Sequence, residues 1–166
     1  MSVLNRANIA LMLCILSYGT MLGGIVYSHM VYFPAYLSAL PDSAVIVNGP
    51  YALHEEVFWM MIHPLNIIFL TVALVANWRI KPRRTMIAAT FAIYVVVLIV
   101  SSLYFIPQLA QFKRSPWAGL PPAEWAARSK MWMRLSITRG TICYLSFFPL
   151  LVALSTPPTW KRSSSS

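Results

Sequence analysis

Long uninterrupted runs of hydrophobic residues dominate the chain, and polar residues are concentrated in the stretches between them. Each run reaches the ~20 residues that a helix needs to cross a lipid bilayer. The runs are continuous and do not alternate with polar positions, so they favour helices over the strands of a membrane barrel. The four apolar segments cover roughly residues 8–33, 52–77, 85–107 and 130–155.

With their flanking residues included, these segments predict an all-α fold, an integral membrane four-helix bundle. Residues 1–160 are expected to form one transmembrane domain, and the serine-rich tail at 161–166 is expected to be disordered. Three tryptophans are expected to belong to an aromatic belt at the membrane interface: Trp117, Trp125 and Trp132. The predicted helices span about 8–38, 52–77, 85–107 and 125–155.

The composition excludes a soluble globular domain. Of the 166 residues, 58% are hydrophobic and only 10% are charged, which leaves too few polar residues to cover a soluble surface. Cys14 and Cys143 lie inside apolar segments without a CxxC spacing. We therefore interpret them as small buried hydrophobes and expect neither a disulfide framework nor a zinc site.

The chain has a net charge of +9, and its basic residues flank the apolar segments. We therefore attribute the charge to the topology of the protein in the lipid bilayer and expect no nucleic-acid partner. The stretch 38–51 contains no Lys or Arg, although 108–129 on the same predicted side contains three. Cytoplasmic segments collect Lys and Arg, so both termini are predicted to be cytoplasmic in a multi-pass protein of the bacterial inner (plasma) membrane. Seven of the 13 basic residues lie on that side: Arg6, Arg79, Lys81, Arg83, Arg84, Lys161 and Arg162.

Helical spacing gives each predicted helix one polar line, because residues seven apart are separated by two turns. Four such lines facing inward predict a polar chamber inside the bundle, in the outer half of the membrane. The lines comprise Tyr18, His29 and Tyr36 in the first helix; Glu56, His63 and Asn66 in the second; Tyr94, Ser101, Tyr104 and Gln108 in the third; and Trp132, Ser136, Arg139, Cys143 and Ser146 in the fourth.

His29 and His63 are the candidate ligands of this chamber. If the first helix continues past Pro34, both histidines lie about 11 residues, or roughly 16 Å, from the outer ends of their helices. The two helices are joined by a short loop, so we expect antiparallel neighbours whose imidazoles face each other. Each histidine also has a purely structural interpretation: His29 would be interfacial if Pro34 ended the helix, and His63 could be bonded to a neighbouring side chain.

Arg139 is the main charged candidate, because it lies too far along the fourth helix to reach the interface easily. An arginine at that depth is costly and marks a functional site by default, and its expected partner is Glu56 or an anionic group of a ligand. Arg134 lies closer to water and could extend to the interface. Glu55 and Glu56 occupy the first turns of the second helix, where carboxylates also suit the helix dipole.

Four stretches contain recognisable sequence motifs: GGIVYSHMVYFPAYLS, PYALHEEVFWMMIHPLNI, SSLYFIPQL and KMWMRLSITRGTICYLSFFPLLVAL. The motifs are an aromatic-x-His before a proline in the first helix, a Trp followed by Ile-His-Pro in the second, and a Trp then an Arg in the fourth. From about Gly23 to Leu154, their order resembles small bacterial four-helix membrane proteins of the anthrone-oxygenase-like family. The corresponding residues are Tyr27, His29 and Pro34; Trp59, Ile62, His63 and Pro64; and Trp132 and Arg139.

The chain departs from the family pattern at two places. Ser28 stands where members often carry an acid, and Ser136 or Thr138 stands where members often carry an asparagine. The resemblance implies four helices and oxidation chemistry.

Three classes of function remain open. The first is a membrane redox protein or oxidoreductase with a haem, expected to be haem b, held by His29 and His63 as paired axial ligands. Arg134 and Arg139 would then pair with the propionates, and Tyr104 completes the expected cofactor-binding residues. A non-haem iron or copper site on His29 and His63, with Glu55, Glu56 and His54 added, is the variant of this class.

The second class needs no cofactor: an oxygenase or isomerase of an aromatic substrate, with a histidine as base and Arg139 stabilising an oxyanion. His63, Arg139 and Glu56 are the expected catalytic residues. The third class is a binding, transport or assembly subunit without chemistry. The expected partners are the bilayer, a small lipophilic substrate or a quinone, and a second copy of the chain in a homo-oligomer.

Overall fold

The structure is a computed structural model, and it describes residues 5–38, 42–113 and 121–157. Within these ranges the chain forms four long helices and one short 3-10 turn, and no strand. All four helices are long and apolar enough to cross a membrane, which confirms the predicted all-α, membrane-type four-helix bundle. The helices span Arg6–Leu37, Glu55–Ala76, Lys81–Lys113 and Pro122–Ser155, and the 3-10 turn spans Asp42–Ile46.

The helix ends differ from the prediction where the ends are polar. The third helix begins at Lys81 and ends at Lys113, because its charged first turn and the residues after Pro107 continue the helix beyond the apolar run. The first helix passes Pro34 and continues to Leu37. The predicted disordered tail at 161–166 lies outside the described residues.

Helices that follow each other in the chain pack side by side. The first helix packs mainly on the second and the third on the fourth, and contacts between the first and fourth close the ring. Gly24 allows the first and second helices to approach closely, because a Cβ atom at this position would lie 2.3 Å from the ring of Phe58.

The two ends of the bundle can be told apart by their hydrogen bonds. At one end, called the terminal side, Asn77 Nδ2 donates to the carbonyl of Ala7. At the other end, called the loop side, the hydroxyl of Tyr36 donates to the carbonyl of Phe112. The tyrosine therefore ties the first helix to the third where the connections between helices begin.

The interior of the loop side is aromatic. Trp125 and Trp132 are both 4% exposed, and both pack edge-on against Phe112. The expectation of an interfacial aromatic belt is therefore wrong for Trp125 and Trp132, and Trp117 lies outside the described residues. The fourth helix continues to Pro122 beyond its apolar run, so its first turns cover the bundle and bury the indole rings.

Two helices contain a five-residue π-helical turn at matching places. The turns span Ser28–Tyr32 and Ser101–Phe105, and in each the N–H of the following residue donates to the serine carbonyl five residues back. A proline follows each turn, at Pro34 and Pro107. Proline lacks an N–H and its ring clashes with the carbonyl four residues earlier, so a wider turn relieves both problems. The same Ser-x5-Pro spacing therefore produces the same local structure twice.

Candidate functional site

His29 and His63 occupy equivalent places in neighbouring helices. His29 lies eight residues before Leu37, and His63 lies eight residues after Glu55. At 1.5 Å per residue, both are roughly 12 Å from the loop-side ends of their helices. Both side chains are half-buried, and the charge of Arg139 is within electrostatic range of both.

A directed chain of hydrogen bonds runs from Arg139 to His29. An Arg139 guanidinium N–H donates to Ser136 Oγ at 3.2 Å, and His29 Nε2 lies 3.0 Å from the same oxygen. His29 Nδ1 lies 2.7 Å from the carbonyl of Ile25, which can only accept. The proton of the neutral imidazole is therefore on Nδ1, and Nε2 accepts the hydrogen bond of the Ser136 hydroxyl.

Arg139 itself is held by neutral groups. Its second guanidinium nitrogen donates to Ser101 Oγ at 2.9 Å, and its central carbon lies 4.2 Å from the ring centre of Phe105. Within the described ranges no carboxylate lies within 4.0 Å of this guanidinium. This half-buried cation inside a membrane-spanning segment thus has hydroxyl and aromatic neighbours and no direct ion pair among the described residues, and the Glu55 carboxylate is within electrostatic range of it.

A second chain of hydrogen bonds orients His63. Ser17 Oγ donates to Asn66 Oδ1 at 2.7 Å, which turns the Asn66 amide nitrogen toward Tyr94 at 3.5 Å. The Tyr94 hydroxyl lies 2.7 Å from His63 Nδ1. The network assigns Tyr94 as the donor, so the proton of the neutral imidazole is on Nε2. No described residue bonds His63 Nε2, which leaves it as a spare donor.

The carboxylate nearest this site is Glu55. Ser28 Oγ donates to Glu55 Oε2 at 2.9 Å, and the Trp59 indole N–H lies 3.5 Å from the same oxygen. Trp59 also stacks on the imidazole of His63, with ring centres 5.5 Å apart. Glu55 therefore connects the π-helical turn of the first helix to the face of the second helix that carries His63.

The expected position of Glu56 is wrong. Its carboxylate is exposed at the rim, where it lies 2.8 Å from His54 Nδ1 and 3.4 Å from Lys113 Nζ. It bonds neither His63 nor Arg139. The seven-residue spacing from His63 misled the prediction, because Glu56 lies in the first turn of the Glu55–Ala76 helix, where His54 and Lys113 bind its carboxylate at the rim.

Arg134 and Tyr104, both expected among the cofactor-binding residues, are exposed on the outside of the bundle. For Tyr104 the reason is the π-helical turn at Ser101–Phe105: one extra residue rotates the following side chains by about 100°. Phe105 consequently takes the buried position at 5% exposure, and Tyr104 is 38% exposed.

Three of the four ring nitrogens of His29 and His63 have protein partners among the described residues. Both ring nitrogens of His29 have protein partners, and Nδ1 of His63 is bonded to Tyr94. Among the described residues, no group of three or more His, Cys, Asp or Glu side chains could hold a metal ion. The cofactor expectation stays a prediction, and ligation by His29 would require the loss of one of its two hydrogen bonds.

A cleft of about 710 Å3 opens on the outer surface between the third and fourth helices. Its walls are almost entirely apolar, and Arg139 is the charged residue that lines it. Tyr104 and Thr138 also line it. The volume is within the range of small-molecule sites in proteins.

Sequence reasoning placed Ser101 in the polar line of the third helix and Glu55 in the first turns of the second helix, but it did not predict their partners, and it gave Ser28 no part in the site. The two serines are the first residues of the π-helical turns, and their hydroxyls bond Glu55 and Arg139 respectively. The repeated Ser-x5-Pro spacing is the signal in the sequence that could have identified both serines.

Comparisons with protein-family models, with curated proteins and with solved structures found no significant match to this chain.

Proposed function

We propose that the protein is a membrane enzyme that removes a proton from a lipid-soluble aromatic enol or phenol, acting as an oxygenase or isomerase without a resident cofactor. The observation that carries this proposal is the hydrogen-bonded chain from Arg139 through Ser136 to His29. It joins a cation that has no direct ion pair among the described residues to an imidazole nitrogen that carries no proton and can accept one.

In this proposal His29 is the general base. Its Nδ1–H is held by the Ile25 carbonyl, so a proton can arrive only at Nε2, directly or through the Ser136 hydroxyl. Proton transfer to a positioned side chain typically accelerates a reaction by about 10²–10⁴-fold. The neighbouring Arg139 favours the neutral base before the transfer and stabilises the negative charge that develops on the substrate oxygen.

His63 takes the complementary role. Tyr94 holds its Nδ1, so its Nε2–H is available to donate to the substrate oxygen or to return a proton to carbon. An acceptor and a donor at the same depth on adjacent helices are what an isomerase needs. An oxygenase would use the same deprotonated substrate with dioxygen: for an anthrone, the CH2 group and O2 give the anthraquinone carbonyl and one water.

The test uses the purified protein in lipid nanodiscs with hydroxyanthrones and naphthols as substrates. Dioxygen uptake, quinone formation and exchange of substrate hydrogen with D2O are measured together. We expect His29→Ala, Ser136→Ala and Arg139→Leu to lower the rate by about tenfold or more, whereas His54→Ala and Arg134→Leu, at exposed positions, should retain it. Wild-type rates in all three site variants, or no reaction with any substrate of the panel, would contradict the proposal.

A redox protein with a haem or metal between His29 and His63 is the second candidate, and the equal placement of the two histidines supports it. An absorption spectrum and a metal analysis of the same preparation separate the two. A Soret band or stoichiometric metal that is lost in both His29→Ala and His63→Ala, but not in His54→Ala, would favour this candidate.

A further inference from the structure

A patch of basic side chains surrounds the turn between the second and third helices, on the terminal side of the bundle. Arg79 and Lys81 are exposed and Arg84 is partly exposed, whereas the side chain of Arg83 is directed inward to buried acceptors. Trp78 is 55% exposed in the same turn. We call Trp78, Arg79, Lys81 and Arg84 the terminal basic patch.

The terminal basic patch has no acidic side chain near it. All four acidic residues of the sequence lie in segments of the loop side: Asp42, Glu55, Glu56 and Glu124. Two cations of the loop side are paired with these acids, since Lys113 Nζ lies 3.4 Å from Glu56 and Arg128 lies 2.7 Å from Glu124. The cations of the terminal basic patch have no such partner, so no acidic side chain compensates their positive charge.

Arg84 is held in a position from which it can bind a phosphate. Its guanidinium lies over the indole of Trp78, with 5.0 Å between its central carbon and the ring centre. Stacking uses the face of the guanidinium and leaves the N–H groups at its edge available, and their fork geometry matches two phosphate oxygens. Within the part of the chain that the structure describes, no group accepts a hydrogen bond from these N–H groups or from the Trp78 indole. Both side chains therefore present unused donors to their surroundings.

The terminal basic patch also lies at the level of a lipid headgroup. The second helix ends at Ala76, so Trp78 follows directly after an apolar run that is long enough to cross the membrane, at the place where tryptophan is enriched. Val75 and Ile68 are 68% and 53% exposed, and their seven-residue spacing places them on one face of the second helix. A phospholipid can therefore lay an acyl chain along this face while its phosphate reaches the patch.

We propose that the terminal basic patch binds an anionic phospholipid, whose phosphate lies against the edge of the Arg84 guanidinium and whose acyl chain follows the second helix. Basic residues near a membrane surface attract anionic lipids, and the charges of Arg79 and Lys81 disfavour the ammonium group of a zwitterionic headgroup. The proposal depends neither on the proton-transfer function nor on which side of the membrane the patch faces.

The experiment measures lipid binding to the purified full chain in a mild detergent by native mass spectrometry. Phosphatidylglycerol is the probe, phosphatidylcholine with the same acyl chains is the comparison, and soluble glycerol phosphate is the competitor. We expect phosphatidylglycerol to bind about tenfold or more tightly than phosphatidylcholine, because each Lys or Arg near an anionic lipid contributes about fivefold in affinity. Glycerol phosphate at a similar concentration should not displace the lipid, since it has no acyl chain to lie along the helix.

Variants assign the binding to the patch. Arg84→Gln should lower the affinity for phosphatidylglycerol by about fivefold. The combined change of Arg79, Lys81 and Arg84 to Gln should make the two lipids bind equally. The matched changes Lys113→Gln and Arg128→Gln remove paired cations of the loop side and should retain the preference.

A second measurement needs no variant and therefore does not depend on how well one folds. In nanodiscs, a diazirine-bearing phosphatidylglycerol should label Val75 and Trp78 of the wild-type protein more than a diazirine-bearing phosphatidylcholine does, as mapped by mass spectrometry. Equal affinity of the wild-type protein for the two lipids, an equal loss of affinity in the loop-side variants, displacement by glycerol phosphate, or labelling only away from this turn would each overturn the proposal.

Discussion

At the scale of single residues, Arg83 and Arg139 show two ways in which the bundle holds a cation. Arg83 is 1% exposed and donates to the Thr156 carbonyl at 2.9 Å, to Asn8 Oδ1 at 2.7 Å and to Asn77 Oδ1 at 3.1 Å. Its acceptors include the negative end of the fourth helix. Arg139 is bonded to hydroxyls, which a ligand oxygen could replace. We therefore interpret Arg83 as structural and Arg139 as functional.

Removal of Arg83 should destabilise the protein. We expect Arg83→Met to lower the free energy of unfolding by about 3 kcal/mol, because several buried acceptors lose a charged donor at once. Titration with SDS from a mild detergent measures this change. Arg84→Met is the matched control, since Arg84 is stacked on Trp78 at 5.0 Å and should cost about 1 kcal/mol or less. Equal losses in the two variants would contradict the structural role of Arg83.

At the scale of elements, the two π-helical turns determine which side chains reach the interior. Ser28 and Ser101 begin the turns, are 3% and 8% exposed, and bond Glu55 and Arg139. π-helical turns often occur at functional sites. In this protein each π-helical turn directs a serine hydroxyl toward a charged group of the site.

Each π-helical turn contains one residue more than the α-helix needs, which makes a deletion informative. Removal of Leu103, which is 77% exposed within Ser101–Phe105, should convert the turn to α-helix and leave both flanks in register. We expect the thermal midpoint to fall by about 4 °C or less. Removal of the exposed Ala89, outside the turn, should rotate Thr90 and Tyr94 out of the core and cause a much larger loss. Similar losses for both deletions would contradict this interpretation.

At the scale of the whole molecule, the terminal side and the loop side differ in charge. The third helix starts on the terminal side with Lys81, Arg83 and Arg84, whereas all three described glutamates lie at helix ends on the loop side. The positive-inside rule therefore predicts that the terminal side is cytoplasmic, although Lys113, Arg128 and Lys130 lie toward the loop side.

Cysteine labelling tests this orientation directly. Tyr51 on the loop side is 94% exposed, and Arg79 on the terminal side is also exposed. In intact cells we expect a membrane-impermeant maleimide to label Tyr51→Cys and not Arg79→Cys. The native Cys14 and Cys143 are buried and should give little background. Preferential labelling at Arg79→Cys would mean that the bundle has the opposite orientation.

The sequence by itself determined the four helices and several of the polar residues from which the site is built. Length and hydropathy are properties of a local stretch, and no tertiary contact is needed to predict a helix that crosses a bilayer. The spacing also identified His63, Ser136 and Arg139 as polar residues of the interior. It identified Arg139 rather than Arg134 as the deeper arginine, and the structure places Arg134 outside.

Only the tertiary structure decided which of two adjacent residues faces the interior of the bundle. Glu55 replaces Glu56, and Phe105 replaces Tyr104, by a shift of one residue in each case. One residue is about 100° of rotation on a helix, so an unforeseen π-helical turn or a changed helix start exchanges an inner side chain for an outer one. The partners of Arg139 come from the third and fourth helices together. Their identity depends on how the helices pack, which the spacing along a single helix does not contain.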